Sequence, residues 1–172
     1  MHIISDIAHI VNGVYVGGAR AAYHTPELRQ AGIIHVLKLY FFEPSWPVDF
    51  VVCNNPLNDG EFVPRRQMMR GVTFIREAQA ANRQVLVVCG AGVSRSSTFV
   101  LAYLLDCGYD LRDAWRLLRV RHPEACPAQQ MWASLLAHYE PPYSMNDVVS
   151  WWFEDEVSGR GGEKYSRAGR GV

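Results

Sequence analysis

The chain has 172 residues, 49% of them hydrophobic, which is enough to bury one real core and too few for two ordinary domains. Seventeen lysines and arginines balance seventeen aspartates and glutamates, for a formal net charge of +0. That balance argues against nucleic acid and against a strongly anionic membrane surface as partners.

No apolar run approaches the ~20 residues a bilayer span needs, and the N-terminal stretch does not read as a secretion signal. A soluble cytoplasmic protein is expected. The four cysteines, Cys53, Cys89, Cys107 and Cys126, form no CxxC pair, and no histidines stand at metal-ligand spacing, so neither a metal nor another cofactor is expected and a reducing compartment is. Oligomeric state is not legible.

Along the chain, short β-rich runs alternate with helical periodicity. Strands are expected over 13–16, 33–39, 50–53 and 85–88, the last too apolar to be anything but central. Thr25-Pro26-Glu27 signals a helix start: a cap, a proline at the first helical position and an acid near the positive end of the dipole. Residues 40–48, YFFEPSWPV, are aromatic and broken by proline. They suit either a substrate rim or a loop packed on the core.

Over 64–81 the spacing of Met68, Val72, Ile75 and Ala78 lines one helix face. A further helix spans 94–107, with Val100, Leu101, Leu104 and Leu105 expected in the core. Asp110 caps the next helix, Asp113 standing three residues on as in a capping box. Its Arg112, Arg116 and Arg119, with Arg121 beyond, are spaced as a solvated face rather than an anion site. Pro127 opens a last helix in which Trp132, Leu135 and Leu136 turn inward.

Pro141 and Pro142 end this domain, taken as 1–143. The extension, 144–172, carries the apolar VVSWWF of 148–153, from which Trp151 and Trp152 are expected to dock on the domain, or else to engage a partner, before a mobile end rich in glycine and serine over 158–172. The alternation gives an α/β fold with a mostly parallel central sheet flanked by helices. A ligand of such a sheet belongs beyond the C-terminal end of the central strand.

Cys89 stands there. The run VLVVCGAGVSRSSTFVLAYLL, 85–105, takes an apolar strand into a cysteine, then into Gly90, Ala91 and Gly92, small enough for a tight curl, then through Val93, Ser94 and Arg95 into a helix. The N–H groups of such a loop converge on one point, where the helix N-terminus adds unpaired donors and the positive end of its dipole. An oxyanion is favoured there, and so is the thiolate, the reactive form of cysteine. The planar fork of Arg95 can grip two phosphate oxygens while the sulfur faces phosphorus. A strand-Gly-helix junction can also be an ordinary tight turn, and a free cysteine a small buried hydrophobe; the two residues bracketing a glycine loop favour the phosphate site.

This run resembles the signature loop and following helix of the dual-specificity phosphatases, in the cysteine-dependent protein tyrosine phosphatase superfamily. The stretch VYVGGARAAYHTPELRQAGIIHVLKL, 14–39, resembles that family's N-terminal segment, and NPLND, 55–59, the segment bearing its general acid. The resemblance runs from about Ile10 to Tyr139. Two positions depart from it: Val88 replaces the histidine that precedes the family's nucleophile, and Lys38 stands where many relatives have asparagine.

The resemblance implies a protein tyrosine phosphatase-like fold of the dual-specificity type and a phosphorylated protein as substrate. Phosphotyrosine, phosphoserine and phosphothreonine would be hydrolysed through a cysteinyl-phosphate on Cys89, held by the N–H groups of Gly90 to Arg95. It gives Asp59 the role of general acid, although Asn58-Asp59-Gly60 is good turn chemistry in itself and Glu61 is the fallback. Ser96 would stabilise the departing thiolate, and Cys53 would be a possible disulfide partner of Cys89. The alternative function is a pseudophosphatase that binds phosphorylated partners without turnover, for which Val88 speaks.

Overall fold

The computed structural model describes residues 6–166, with side chains through residue 155. Strands β1 (Ile7–Val11) and β2 (Val14–Gly18) form an antiparallel hairpin, with Ile7 opposite Gly17 and Val11 opposite Val14. Sequence reasoning expected only the second. The overlooked signal is the Asn12-Gly13 turn, where both residues have positive φ, 40° and 77°, the backbone that two-residue hairpins demand.

A short 3-10 turn (Ala19–Tyr23) leads to α1 (Thr25–Gln30), then β3 (Ile33–Lys38) and β4 (Val51–Asn54). Helix α1 starts one residue early: His24 flanks it and Thr25 is already helical. Helix α2 (Arg65–Ala80) precedes β5 (Gln84–Cys89), and α3 (Arg95–Asp106), α4 (Leu111–Arg121) and α5 (Gln129–Tyr139) follow. Strand order is β1-β2-β5-β3-β4, and every pairing except that of the first hairpin is parallel. The expected α/β fold with a mostly parallel central sheet is the one found.

Strand β5 is central and apolar on both faces, as a parallel strand covered on two sides must be. Leu86 and Val88 join Leu28, Ile33, Val36, Tyr40 and Phe50 in one cluster, while Val85 and Val87 point the other way and are equally buried. On that second side Gly71 of α2 leaves room for Phe99 of α3, whose ring would lie 2.4 Å from any Cβ there. Replacing Gly71 with a larger residue would force the two helices apart.

Asp110 caps α4 as expected, its carboxylate accepting from the N–H groups of Arg112 and Asp113. Helix α5 begins at Gln129, two residues after the proline read as its start. Leu105 and Leu136, expected in the core, are half-buried at its edge. Arg116 is exposed beside Asp113, 3.7 Å away. Arg119 departs from the solvated reading: it lies 5.5 Å from the centre of the Trp115 ring and donates to the carbonyls of Pro123 and Ala125.

The chain divides after Pro141, two residues before the boundary drawn from sequence. In the second unit, Ser144 and Asp147 cap α6 (Met145–Ser166) reciprocally, Ser144 N and Oγ each donating to Asp147 Oδ2 at 2.7 Å. These bonds hold the Asp147 carboxyl below the usual carboxylate range. Tyr143 meets Trp151 edge to face at 5.0 Å. The helix continues through the glycine-rich stretch in which mobile chain was expected, and residues 167–172 lie outside the described residues.

Candidate active site

Beyond Cys89 the chain curls so that its carbonyls point away from the cup. Gly90 O accepts from Ala19 N at 3.0 Å, Val93 O from Cys126 N at 3.0 Å, and Gly92 O lies 2.7 Å from His122 Nε2. Ser94 O takes both the N–H and the hydroxyl of Thr98. With their oxygens bound outside, the peptide units of this loop turn N–H groups toward its interior. The start of α3 adds its own unpaired donors and dipole at the same place.

The cysteine sits at the focus. Cys89 is 2% exposed; its sulfur accepts from Gly92 N at 3.2 Å and lies 3.3 Å from Ser96 Oγ. Gly92 has a φ of 77°, and a Cβ there would be 2.7 Å from backbone atoms of Gly17 and Gly18. Only glycine allows both the conformation and the approach. The structure thus brings Cys89 together with Ser96 and with the amide of Gly92.

Arg95 is aimed by its neighbours. Its Nη1 donates to Leu39 O at 3.2 Å and to Leu57 O at 2.9 Å. Nη2 lies against Gly90, where a Cβ would meet it at 3.1 Å, and Nε is buried with no protein partner. One corner of the guanidinium is therefore committed to the scaffold, while Nη2 lies beside the loop and Nε is left without a protein partner, which leaves two donors for an anion.

The Leu57 contact carries the third element. Asn55 is buried, its N–H bonded to Lys38 O at 2.9 Å and its side chain to Gln67 O at 3.0 Å. Leu57 N reaches Leu39 O at 3.3 Å, and Val63 N is held by Ser134 Oγ at 2.7 Å. Between these anchors residues 58–62 are exposed. Asp59, two residues past Leu57, can lie no further from it than about 7 Å between Cα atoms. Its Oδ1 accepts from Gly60 N at 3.0 Å, and Gly60, at φ 77°, has open space around it. Asp59 thus sits on an exposed segment two residues from Leu57, whose carbonyl receives Arg95.

Val88 is fully buried among apolar neighbours, and its carbonyl accepts from Leu39 N at 2.8 Å. Lys38 has a structural partner: Nζ donates to Phe42 O at 2.7 Å and lies 4.7 Å from the centre of the Tyr40 ring. It braces the loop after β3. That loop packs on the core through Tyr40, which donates to Pro44 O at 2.6 Å and receives Trp46 Nε1 at 3.1 Å, while Phe42 is 87% exposed.

The Cys53–Cys89 disulfide is ruled out. Strand β3 lies between theirs, and Cys53 is level with Val87, because both pair with Leu37. Two strand spacings and a two-residue offset put the Cα atoms about 12 Å apart, beyond the ~7 Å limit for a bridge. Burial instead pushes the Cys53 thiol up from its ordinary value.

Sequence reasoning missed the turn after α4. Pro123 ends that helix, and the following segment grips the loop from outside with His122 on Gly92 O, Cys126 N on Val93 O and Ala128 N on Ser94 Oγ at 3.1 Å. Two of these donors are backbone groups, which carry no side-chain signal. A cavity of about 280 Å³ adjoins the first half of the loop, with Arg20, His122 and Glu124 in its wall; Cys89 and Arg95 do not line it.

Residues 14–141 match the family described as "Dual specificity phosphatase, catalytic domain". The human dual specificity protein phosphatase 12 is 35% identical over 124 residues, covering 66% of this chain and 35% of its own length. The mouse dual specificity protein phosphatase 14 is 29% identical over 149 residues, 84% of this chain and 75% of its own. A mouse dual specificity phosphatase crystallised with zinc tungstate superposes with a TM-score of 0.74 at 24% identity, covering 81% and 90% of the two chains, and human DUSP28 with 0.72 at 22%, covering 80% and 95%. These two structures show likeness of fold. The chain spans about a third of the length of the first relative.

Cys89 at the end of β5, in contact with the Gly92 amide and with Ser96 Oγ, and Arg95 six residues later form one candidate anion site. With the match over 14–141, the chain belongs to the dual-specificity phosphatase family and carries its catalytic domain.

Proposed function

We propose that this chain hydrolyses phosphomonoesters on proteins, taking phosphotyrosine and phosphoserine or phosphothreonine. One observation carries the reading: Cys89 Sγ sits 3.2 Å from the Gly92 amide and 3.3 Å from Ser96 Oγ, in a loop whose carbonyls are bonded outward. Arg95 is held with Nη2 beside Gly90 of that loop and Nε without a protein partner. Family membership supports a phosphoprotein as substrate.

The N–H groups of residues 90–95 and the Arg95 fork hold three phosphoryl oxygens, and the Cys89 thiolate attacks phosphorus in line. The sulfur–phosphorus bond forms as the ester oxygen–phosphorus bond breaks. The leaving oxygen takes its proton from the Asp59 carboxylic acid. Water then attacks the cysteinyl-phosphate, Asp59 carboxylate accepting its proton; the sulfur–phosphorus bond breaks, inorganic phosphate leaves, and the Ser96 hydroxyl donates to the regenerated thiolate. Closure of the 58–62 segment brings Asp59 to the ester oxygen.

The test is turnover of an aryl phosphate and of phosphotyrosyl and phosphothreonyl peptides, with inhibition by vanadate. Cys89→Ser should abolish turnover in a folded protein that still binds the phosphoester, since a hydroxyl keeps the volume but ionises far less readily. Appreciable hydrolysis by the purified variant would remove Cys89 as nucleophile. A wild type that binds the oxyanion without turnover would be a phosphate-binding module instead.

A further inference from the structure

Gly92 is the pivot of the loop: its N–H donates to the sulfur of Cys89 at 3.2 Å, and its carbonyl lies 2.7 Å from His122 Nε2. A carbonyl oxygen only accepts, so the ring nitrogen donates and carries the proton. The next peptide N–H, that of Val93, belongs to the same planar unit as this carbonyl. Drawing the oxygen outward turns that N–H inward.

His122 is itself fixed. It is the residue after α4, its N–H bonded to Leu118 O at 2.7 Å and its carbonyl receiving Ala125 N at 3.0 Å. Arg119, lying over Trp115, braces the same turn through Pro123 O and Ala125 O. Of the three bonds from this turn to the loop, only that of His122 comes from a side chain.

We propose that His122 is a positioning residue for the reaction, resting on the reading of the Cys89 loop as a phosphate-hydrolysing site. It sets the plane of the Gly92–Val93 peptide and so aims a donor at the phosphoryl oxygens without touching substrate. Lysine at this position would not substitute, because a flexible point donor does not fix a plane. An amide of nearly equal reach would.

The experiment compares wild type with His122→Ala, His122→Gln and His122→Leu for kcat and KM on an aryl phosphate, for vanadate affinity and for melting temperature. His122→Ala should lose about tenfold in kcat/KM, the usual scale of one well-placed hydrogen bond, with vanadate affinity falling in parallel. His122→Gln should recover most of both. His122→Leu, which keeps volume without a donor, should stay impaired. Because the ring borders the 280 Å³ cavity, free imidazole should reach the gap in His122→Ala and restore part of the activity.

Equal losses in the Gln and Leu variants, or a folded His122→Ala with unchanged vanadate affinity and kcat/KM, would overturn the proposal. If alanine prevents folding, the contrast between the Gln and Leu variants decides the matter alone. A wild type that neither turns over aryl phosphate nor binds vanadate would instead overturn the phosphatase reading, and this proposal with it.

Discussion

Arg95 Nη1 lies 2.9 Å from the carbonyl oxygen of Leu57, so the side chain that closes the anion cup also holds the segment bearing Asp59. In the proposed reaction, anion binding and acid catalysis would be joined at this one guanidinium. Arg95→Lys should fail on both counts, since an ammonium can neither span two phosphate oxygens nor keep the bonds to Leu39 O and Leu57 O. We expect kcat to fall about 10²–10³-fold, as when an oxyanion donor is lost, together with weaker vanadate inhibition. A variant in which vanadate binding survives intact would detach Arg95 from anion binding.

Asp59→Asn should lower kcat by about 10²–10⁴-fold, the range for a positioned acid or base, and change KM much less. The deficit should shrink for phosphate esters with good leaving groups, which need little protonation. A loss that is the same across leaving groups would assign Asp59 to the turn with Gly60, with which it shares a 3.0 Å bond.

At Val88 the chain departs from the family pattern, and the side chain there offers the nucleophile no hydrogen bond. Val88→His would add a donor next to Cys89 and favour its thiolate, so the acidic limb of kcat/KM should move to lower pH. The site is fully buried against Leu28, Tyr40 and Phe50, so overpacking should cost about 1–3 kcal/mol. Melting curves and pH–activity profiles on the same preparations separate the two effects. An unmoved limb in a well-folded variant would make Val88 irrelevant to the thiolate.

Gly92→Ala should be severe for a different reason. At φ 77° its Cβ would fall 2.7 Å from the backbone of Gly17 and Gly18, which cannot yield as a side-chain tip can. Backbone strain of about 1–3 kcal/mol is expected, with loss of the amide contact to Cys89. Unfolding midpoints and vanadate affinity should fall together; a stable variant with full affinity would contradict the close approach.

Much of this was legible in the residues because each signal was local. An apolar run ending in cysteine, small residues allowing a curl and an arginine at the start of a helix were enough to point to the strand–loop–helix that the structure shows there. The β1 strand was not legible from periodicity, since His9 and Val11 break its alternation; the Asn12-Gly13 turn would have revealed it. The role of Arg119 was hidden because its periodic spacing also fits a solvated face, and what decides between the two is a pair of carbonyls in the turn after α4. The Cys53 pairing could not be judged from separation in sequence, since strand order sets the distance. Lys38 gained a meaning only once Phe42 O was seen beside it.

The outward-bonded carbonyls of the loop bear on how its chemistry would look to mutagenesis. Recognition there is written in main-chain orientation, and Ala91 is exposed and Val93 half-exposed, so changing either side chain leaves the donors in place. A scan of loop side chains would be nearly silent at those two positions. For the donors themselves, the informative positions also include the residues outside the loop that hold its oxygens, and Ala19, Cys126 and Ala128 do so through amide groups that no side-chain change removes. Replacing one amide by an ester, or substituting proline where the backbone angle permits, would expose a dependence that ordinary point mutation passes over.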